Sequence, residues 1–159
     1  MKIIDVLDKK GRTYHTIPAH ESFSQILKLL VTHGVGSLVV TDSNGATIGI
    51  VSERTLIEAL SRMGARAFDK TAKSVMRSPV PSCRPDHTIR QGLSTMTTLR
   101  TRHLVVCDSA ETYGVVSIGD LVKYRLQDTE LENLVLRDMA GARHLASSGS
   151  ALRRFDKAG

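Results

Sequence analysis

Apolar residues along this chain follow two spacings, one typical of amphipathic helices and the other of short buried strands. Where apolar residues recur three and four positions apart, the pattern predicts helices. Short apolar runs bounded by turn-rich loops, such as DSNGA and DSAET, predict strands. The predicted strands are residues 14–17, 37–41, 47–51, 80–83, 103–107 and 113–116, and the predicted helices are residues 23–30, 53–62, 89–96 and 118–126.

These elements form an internal repeat. Residues 15–43 align with residues 81–109 at an offset of 66, and after a one-residue gap in the turn the match continues at an offset of 65. The alignment contains twelve identities in one order. The identical residues of the first copy are Gln25, Leu27, Thr32, Leu38, Val39, Val40, Asp42, Ser43, Gly49, Val51, Ser52 and Leu56. The chain therefore holds two copies of one structural unit.

Each copy predicts a β-α-β-β-α unit. The first helix of each copy opens with a hydroxyl residue and a glutamine three positions later, Ser22 with Gln25 and Thr88 with Gln91, which is a capping-box pattern. One such unit leaves an apolar face of its sheet uncovered, and pairing two units covers both faces. We expect an α/β (α+β) fold in which the two units pack sheet against sheet as a pseudo-twofold pair, with flanking N- and C-terminal helices.

The expected domain boundaries follow from the repeat. The chain divides into an N-terminal helix and first repeat (1–64), a linker (65–78), a second repeat (79–128), a C-terminal helix (129–143) and a flexible basic tail (144–159). The last part is small, polar and basic, which is typical of a tail without a packed core.

Composition indicates an ordinary globular protein. Apolar residues make up 41% and charged residues 24% of the chain. The longest apolar stretches are far too short to cross a bilayer, and the start, MKIIDVLDKK, is not a signal peptide pattern. The two cysteines, Cys83 and Cys107, lie in apolar runs, which predicts buried, reduced thiols. We therefore expect a cytoplasmic location and no membrane association.

The formal net charge of +6 raises the alternative of a nucleic-acid-binding protein. Residues 137–159 hold five basic and two acidic residues, so this end accounts for half of the excess. The chain has no Trp and only three Phe and three Tyr, which leaves few positions for base stacking. The sequence therefore disfavours nucleic-acid binding. No spacing typical of a metal site, nucleophile or general base occurs, so we expect neither an enzyme nor a catalytic cofactor.

The most informative local chemistry is at residues 114–120, where an apolar strand runs into a helix through Ser117. A helix N-terminus offers unpaired N–H groups and partial positive charge, which suits an anion. Asp120, three residues on, can accept both hydroxyls of a ribose. Arg102 and His103, at the start of the preceding strand, can donate to a phosphate. The alternative is a plain capping box, in which Asp120 bonds only the first amides of its own helix.

The stretch RHLVVCDSAETYGVVSIGDLVKYRL resembles the second half of a CBS (cystathionine beta-synthase) domain, with its G-h-V-S-h-G-D-L ending. The stretch VGSLVVTDSNGATIGIVSERTLIEAL resembles the first copy of a CBS pair, and SVMRSPVPSCRP resembles the linker between copies. The resemblance covers about residues 10–126 and is similar to stand-alone bacterial CBS pairs. It implies a cytoplasmic sensor that binds an adenine nucleotide between the repeats and commonly dimerises.

The resemblance implies that Ser117 and Asp120 contact ribose, and Ile118 and Gly119, which lie between them, are also expected to contact the nucleotide. The first copy departs from the family pattern, because Ser52 is followed by Arg54 and by Thr55 where the ribose aspartate would be. Threonine lacks charge, so this site is expected to be weaker or altered. Arg54 either reaches a phosphate or is an ordinary solvated residue. The further expected nucleotide contacts are Thr16, Gly36, Ser37 and Cys83.

The resulting hypothesis is a regulatory module that senses AMP, ADP, ATP or NAD(H) and signals to an unknown protein partner. A scaffold or interaction module with decayed nucleotide sites is the alternative. We also expect a homodimer, because the flanking segments carry apolar residues that a single pair would leave partly exposed. These residues are Ile3, Val6, Leu7, Leu131, Leu134 and Val135.

Overall fold

The structure is a computed structural model that describes residues 1–109 and 111–152, with side chains described as far as residue 139. The chain begins with α1 (Ile3–Lys10). The first repeat comprises β1 (Thr16–Pro18), α2 (Phe23–His33), β2 (Ser37–Thr41), β3 (Thr47–Ser52) and α3 (Glu53–Met63). The linker holds a 3-10 helix (Gly64–Asp69) and α4 (Ala72–Val75). The second repeat comprises β4 (Ser82–Cys83), α5 (Ile89–Thr98), β5 (His103–Cys107), β6 (Thr112–Ser117) and α6 (Ile118–Leu152).

Each repeat builds its own three-stranded sheet, in the orders β1-β2-β3 and β4-β5-β6. The outer strand pairs in parallel with the middle strand, and the last two strands form an antiparallel pair. The registers of the two copies correspond, because Ser37 lies opposite Ser52 in one sheet and His103 lies opposite Ser117 in the other. The predicted α/β fold with two β-α-β-β-α units is confirmed.

The predicted helix caps are present at the first helix of each repeat. The Ser22 hydroxyl accepts a hydrogen bond from the amide of Gln25 at 3.2 Å. The Thr88 hydroxyl accepts from the amide of Gln91, also at 3.2 Å, and the Gln91 side chain accepts from the Thr88 amide at 2.8 Å. These bonds satisfy amides that the helix itself leaves unpaired, so the two starts are fixed locally.

The two sheets pack face to face. Val39 and Ile50 of the first sheet form a buried cluster with Val105 of the second. Tyr14, Val80, Cys107 and Val115 pack against this cluster. At the other end of the strands, the hydroxyl oxygens of Thr47 and Thr112 lie 3.3 Å apart. The sheet-against-sheet arrangement covers the apolar face that one repeat alone would expose.

The helix that precedes each repeat packs on the other repeat. The amide of Ile3 in α1 donates to the carbonyl of His87 at 2.8 Å, just before α5 of the second repeat. In the linker, the amide of Ala72 donates to the carbonyl of Glu21 at 2.8 Å, just before α2 of the first repeat. Val6 and Leu7 are fully buried, as is Ile3. The expectation that these α1 residues would be left exposed for a partner is therefore wrong, because the second repeat of the same chain covers them.

The last helix is longer than the sequence predicted. α6 runs without a break through the expected separate helix at 129–143 and on to Leu152. Thr129, where a new helix was expected to begin, donates its hydroxyl to the carbonyl of Arg125 at 3.0 Å, a bond compatible with helix continuation. The expected tail is thus helical over 144–152, and its remainder, 153–159, lies outside the described residues.

The chain divides into two compact units, Met1–Leu121 and Val122–Gly159. Both sheets belong to the first unit. In the second unit, α6 has exposed apolar side chains at Leu131, Leu134 and Val135. Among the described helices, none has a stretch long and apolar enough to span a lipid bilayer.

Candidate functional site

The candidate site is centred on the junction between β6 and α6. α6 begins where the amide of Ile118 donates to the carbonyl of Arg102 at 2.9 Å. The Asp120 carboxylate accepts from the Ser117 amide at 2.8 Å and from the Ser117 hydroxyl at 2.9 Å, through the same oxygen, Oδ2. In return, the Asp120 amide donates to the Ser117 hydroxyl at 3.2 Å. The capping interactions considered from the sequence are therefore present, and they fix the carboxylate at the helix start.

A residue far away in the sequence completes this arrangement. The ammonium of Lys10, at the end of α1, lies 2.8 Å from Oδ2 of Asp120. Both side chains are 25% exposed, so the ion pair is partly shielded from water. Sequence reasoning missed Lys10, because nothing in the local pattern KKGR indicates that α1 packs beside the second repeat.

The Asp120 carboxyl is held ionised. Its partial burial alone would raise its pKa, but the hydrogen bonds from Lys10 and Ser117 outweigh that effect and lower the pKa below its ordinary value. Among the described residues, the Asp120 hydrogen bonds all fall on Oδ2, and Oδ1 accepts none. A charged acceptor oxygen is therefore available at the helix start.

His103 lies directly across the sheet from Ser117. Burial lowers the pKa of its imidazole below the ordinary value. The carboxylates of Glu53 and Asp120 act in the opposite direction, and Lys10 adds to the lowering. His103 therefore lies within electrostatic range of Glu53 at the start of α3 and of Asp120 at the start of α6. Its lowered pKa favours the neutral imidazole at neutral pH.

Gly36 brings the two repeats close together at this edge. A Cβ built on Gly36 would lie 3.1 Å from the Cε1 and Nε2 atoms of His103, which is tighter than ordinary contact. The carbonyl of Gly36 accepts from the amide of Glu53 at 3.2 Å, which repeats the Ile118–Arg102 bond of the second copy. The small residue at this position therefore allows the His103 ring to reach the first repeat.

The first repeat has a similar cap, formed by Ser52 and Thr55, but these two residues bond each other and leave no carboxylate at this position. The Thr55 hydroxyl accepts from the Ser52 amide at 2.8 Å and donates to the Ser52 carbonyl at 2.8 Å. The hydroxyl proton of Thr55 is thus already engaged within its own cap. The Arg54 guanidinium pairs with Glu58 at 2.9 Å on an exposed helix surface. This junction offers no carboxylate comparable to that of Asp120.

The remaining sequence-predicted contacts divide by exposure. Thr16 is exposed on β1, and Ser37 is half-buried at the start of β2 opposite Ser52. Cys83 is 5% exposed, and burial raises the pKa of its thiol to about 12, with a smaller contribution from Cys107. The Cys83 side chain thus faces the interior, and Ser82, the counterpart of Thr16 by the repeat, is the exposed residue of β4.

The described part of the chain contains no group of three His, Cys, Asp or Glu side chains arranged to hold a metal ion.

A family model of the CBS domain matches the chain twice, at residues 6–62 and 72–127, which together cover more than half of it. The chain belongs to the CBS domain family. The two matches correspond to the two repeats, and the Ser117–Asp120 junction lies in the second CBS repeat.

Solved CBS structures have the same fold. A CBS-domain containing protein from Agrobacterium tumefaciens is 35% identical, with a TM-score of 0.74 over 78% of this chain and 92% of that chain. A CBS domain protein from Pyrobaculum aerophilum, complexed with AMP, is 22% identical, with a TM-score of 0.65 over 76% of this chain and 89% of that one. At that identity the second likeness concerns the fold alone.

A curated relative is a 33.4 kDa protein of Thermofilum pendens encoded in a ribosomal RNA operon. It is 30% identical to this CBS pair over 110 residues, which are 69% of this chain and 36% of the relative. The match therefore spans about a third of that relative's length.

Proposed function

We propose that this CBS pair is a regulatory module that binds an adenine nucleotide, AMP, ADP, ATP or NAD(H), in the cleft between its repeats. The observation that carries the proposal is the Asp120 carboxylate, fixed at the start of α6 with one oxygen, Oδ1, that accepts no hydrogen bond among the described residues. A carboxylate in this position can accept the two hydroxyls of a ribose. The AMP complex of the Pyrobaculum aerophilum protein supports an adenine nucleotide as the ligand.

The phosphate end of the ligand would meet donors on β5 and at the helix start. Arg102 is exposed and immediately precedes β5, and His103 is half-buried beside it. A Cβ built on Gly119 would meet only the Ser117 hydroxyl, at 3.7 Å, so the backbone here is open to close approach. Arg102, His103 and the amide of Gly119 therefore form a set of donors suited to an anion, whereas the amide of Ile118 already donates to the Arg102 carbonyl.

The second repeat is proposed as the stronger site. The carboxylate of Asp120 makes charge-assisted bonds, which are roughly twice as strong as the bonds of a neutral hydroxyl such as that of Thr55. At the first junction, Ser52 and Thr55 already satisfy one another, and Arg54 is paired with Glu58. Ligand binding there, through Thr16, Gly36, Ser37, Ser52, Arg54 and Thr55, would require these bonds to be exchanged.

Thermal unfolding with a nucleotide panel tests this proposal. AMP, ADP, ATP, NAD, NADH and S-adenosylmethionine are each added to the purified protein. A ligand present at one hundred times its dissociation constant stabilises the folded state by about 2.7 kcal/mol. We expect at least one adenine nucleotide to raise the melting temperature. If none does so at millimolar concentration, a nucleotide sensor is excluded.

The second candidate is a scaffold module with decayed sites, and Thr55 is the observation that favours it. Under this hypothesis the cap at Ser117 is purely structural, like the cap at Ser52. The panel distinguishes the two functions, because a scaffold would show no shift with any nucleotide.

The signalling role is also a proposal. A nucleotide that joins the two repeats would alter the surface offered to a protein partner or to a second copy of the chain. The exposed apolar residues of α6, Leu131, Leu134 and Val135, support a homodimer. The two free thiols, Cys83 and Cys107, support a reducing compartment such as the cytoplasm.

A further inference from the structure

Lys10 lies at the end of α1, before the first strand of the first repeat, yet its ammonium contacts Asp120 of the second repeat. It is the last residue of α1, and Ile3 and Leu7 hold that helix against the second repeat. A Cβ on Gly92 would lie 2.9 Å from Ile3, and one on Gly114 would lie 3.1 Å from Leu7. These close approaches keep the end of α1 near β6. The Lys10–Asp120 contact at 2.8 Å is therefore part of how α1 is seated.

The first repeat has no equivalent of Lys10. The Arg12 carbonyl lies 3.2 Å from a Cβ built on Gly114, and the Arg77 carbonyl lies 3.1 Å from one built on the repeat-equivalent Gly49. Arg12 and Arg77 thus occupy corresponding places. Two residues before them stand Lys10 and Val75, and Val75 is buried in the core of the first repeat. The second junction therefore has an aspartate and an ammonium in contact, whereas at the first junction Thr55 takes the place of the aspartate and Val75 that of the lysine.

The charges around Asp120 indicate a role for the Lys10 ammonium in ligand binding. Glu53 and Asp120 bring two negative charges to this edge of the molecule, and both are near His103. A nucleoside monophosphate carries about two more at neutral pH. The carboxylate that binds the ribose would repel the phosphate of the same ligand unless nearby cations offset that repulsion, and both Arg102 and Lys10 act on His103 at this edge. Lys10 supplies positive charge at the carboxylate itself.

We infer that Lys10 is the residue by which the second site selects phosphorylated adenine nucleotides over the unphosphorylated nucleoside. This inference rests on the proposed function. One ribose hydroxyl donates to the open Oδ1 of Asp120, and the other takes the place of the ammonium on Oδ2. The four-carbon side chain of Lys10 then turns its ammonium to the phosphate. One charge-assisted bond is exchanged for another, and only a ligand with a phosphate completes the exchange.

Calorimetric titration with two probes, AMP and adenosine, tests this inference. We compare the wild-type protein with Lys10→Met, with Lys10→Arg and with Lys28→Met, an exposed lysine of α2 that serves as the matched control. Loss of a charge-assisted bond weakens affinity about tenfold or more. We therefore expect Lys10→Met to weaken AMP binding at least tenfold and to change adenosine binding less than about threefold. Lys10→Arg and Lys28→Met should keep the preference for AMP.

Other outcomes would overturn the inference. If Lys10→Met weakens AMP and adenosine equally, Lys10 acts only through the fold. If it strengthens both, the ammonium merely competes for Asp120, and if neither changes, Lys10 has no part in binding. A wild-type protein that binds neither probe overturns the proposed function itself, and the wild-type titration alone reveals that case.

Discussion

Asp120 accepts hydrogen bonds from both the amide and the hydroxyl of Ser117, at 2.8 and 2.9 Å, at the point where β6 becomes α6. In the first repeat, Thr55 bonds Ser52 in the same place, but it also donates its hydroxyl to the Ser52 carbonyl. The carboxylate has no proton to donate, and its Oδ1 accepts no hydrogen bond from the part of the chain that the structure describes. The two junctions thus share the same cap. They differ in that Asp120 keeps an acceptor oxygen for a ligand, whereas the hydroxyl of Thr55 is engaged with Ser52.

Replacing Asp120 separates ligand binding from capping. Asp120→Ala should weaken nucleotide binding by about one to two orders of magnitude, because a hydrogen bond to a charged group contributes about 1.5–3 kcal/mol. Thr55→Ala should cost less affinity, since a neutral hydroxyl contributes about 0.5–1.5 kcal/mol. Titration calorimetry on both variants measures the difference.

Melting curves of the same variants provide the control. Both substitutions remove a cap, so both should lower the melting temperature. If Asp120→Ala lowers the melting temperature but leaves nucleotide affinity within about threefold of the wild-type value, the residue is a cap and not a ribose contact.

Restoring a carboxylate in the first repeat gives the reciprocal experiment. Thr55→Asp keeps an oxygen that can accept from the Ser52 amide, and it removes the hydroxyl that donates to the Ser52 carbonyl. We expect an added or tighter nucleotide site, seen as a change in binding stoichiometry or affinity. An unchanged isotherm, from a variant that melts like the wild-type protein, would contradict the proposed ribose contact at this position of the motif.

Sequence reasoning reached the fold because both the caps and the repeat are local. Ser22 with Gln25 and Thr88 with Gln91 can be identified from neighbouring residues, and the structure has the full capping box at Thr88 and Gln91 but only the bond from the Gln25 amide to the Ser22 hydroxyl at the first pair. The family assignment also followed from contiguous motifs and is confirmed by the double match of the CBS domain.

The contacts that the sequence missed join residues far apart in the chain. Lys10 and Asp120 meet only because α1 crosses to the second repeat, and no pattern within α1 specifies that destination. The same crossing buries Ile3, Val6 and Leu7, which made half of the sequence argument for a dimer wrong. The sequence also predicts a separate helix from residue 129, whereas the structure has one continuous helix in which the Thr129 hydroxyl donates to the Arg125 carbonyl.

The low pKa of Asp120 predicts how stability depends on acid. Partial burial raises this pKa, but the bonds from Lys10 and Ser117 lower it more. As pH falls, the unfolded chain therefore takes up the proton first, which favours unfolding. The stabilisation by Asp120 should be complete at neutral pH and disappear as pH falls below about 4 and through the pKa of the folded state. The measurement is the difference in unfolding free energy between the wild-type protein and Asp120→Asn, from about pH 7 to about pH 2.5.

The variant Lys10→Met serves as a control for this pH dependence. Lys10→Met removes the first of the two bonded groups that lower the pKa, so in that variant the stabilisation at neutral pH should be smaller and its loss should be complete at a higher pH. A difference between the wild-type protein and Asp120→Asn that stays constant over the whole range would contradict the lowered pKa.

The pKa of His103 tests whether the phosphate of a bound nucleotide lies beside β5. In the free protein, burial lowers its pKa below the ordinary 6.5, with Glu53 and Asp120 acting in the opposite direction. A bound phosphate favours the protonated imidazole and should raise this pKa. NMR titration of the imidazole protons, with and without saturating AMP, measures the change. No shift in His103 under conditions where AMP is bound would show that the phosphate lies elsewhere, and the exposed His20 serves as the reference.

The exposed apolar residues of α6 make the homodimer testable. Leu131 and Leu134 are 60% and 57% exposed, which is unfavourable for leucines unless a partner covers them. We expect light scattering to give a dimer for the wild-type protein at tens of micromolar and a monomer for the double variant Leu131→Glu, Leu134→Glu. Val31→Glu, a change at an 83% exposed apolar residue of α2, should remain dimeric. A monomeric wild-type protein, with and without AMP, would exclude the dimer. Equal dissociation of both variants would show that general surface charge, and not the α6 face, decides association.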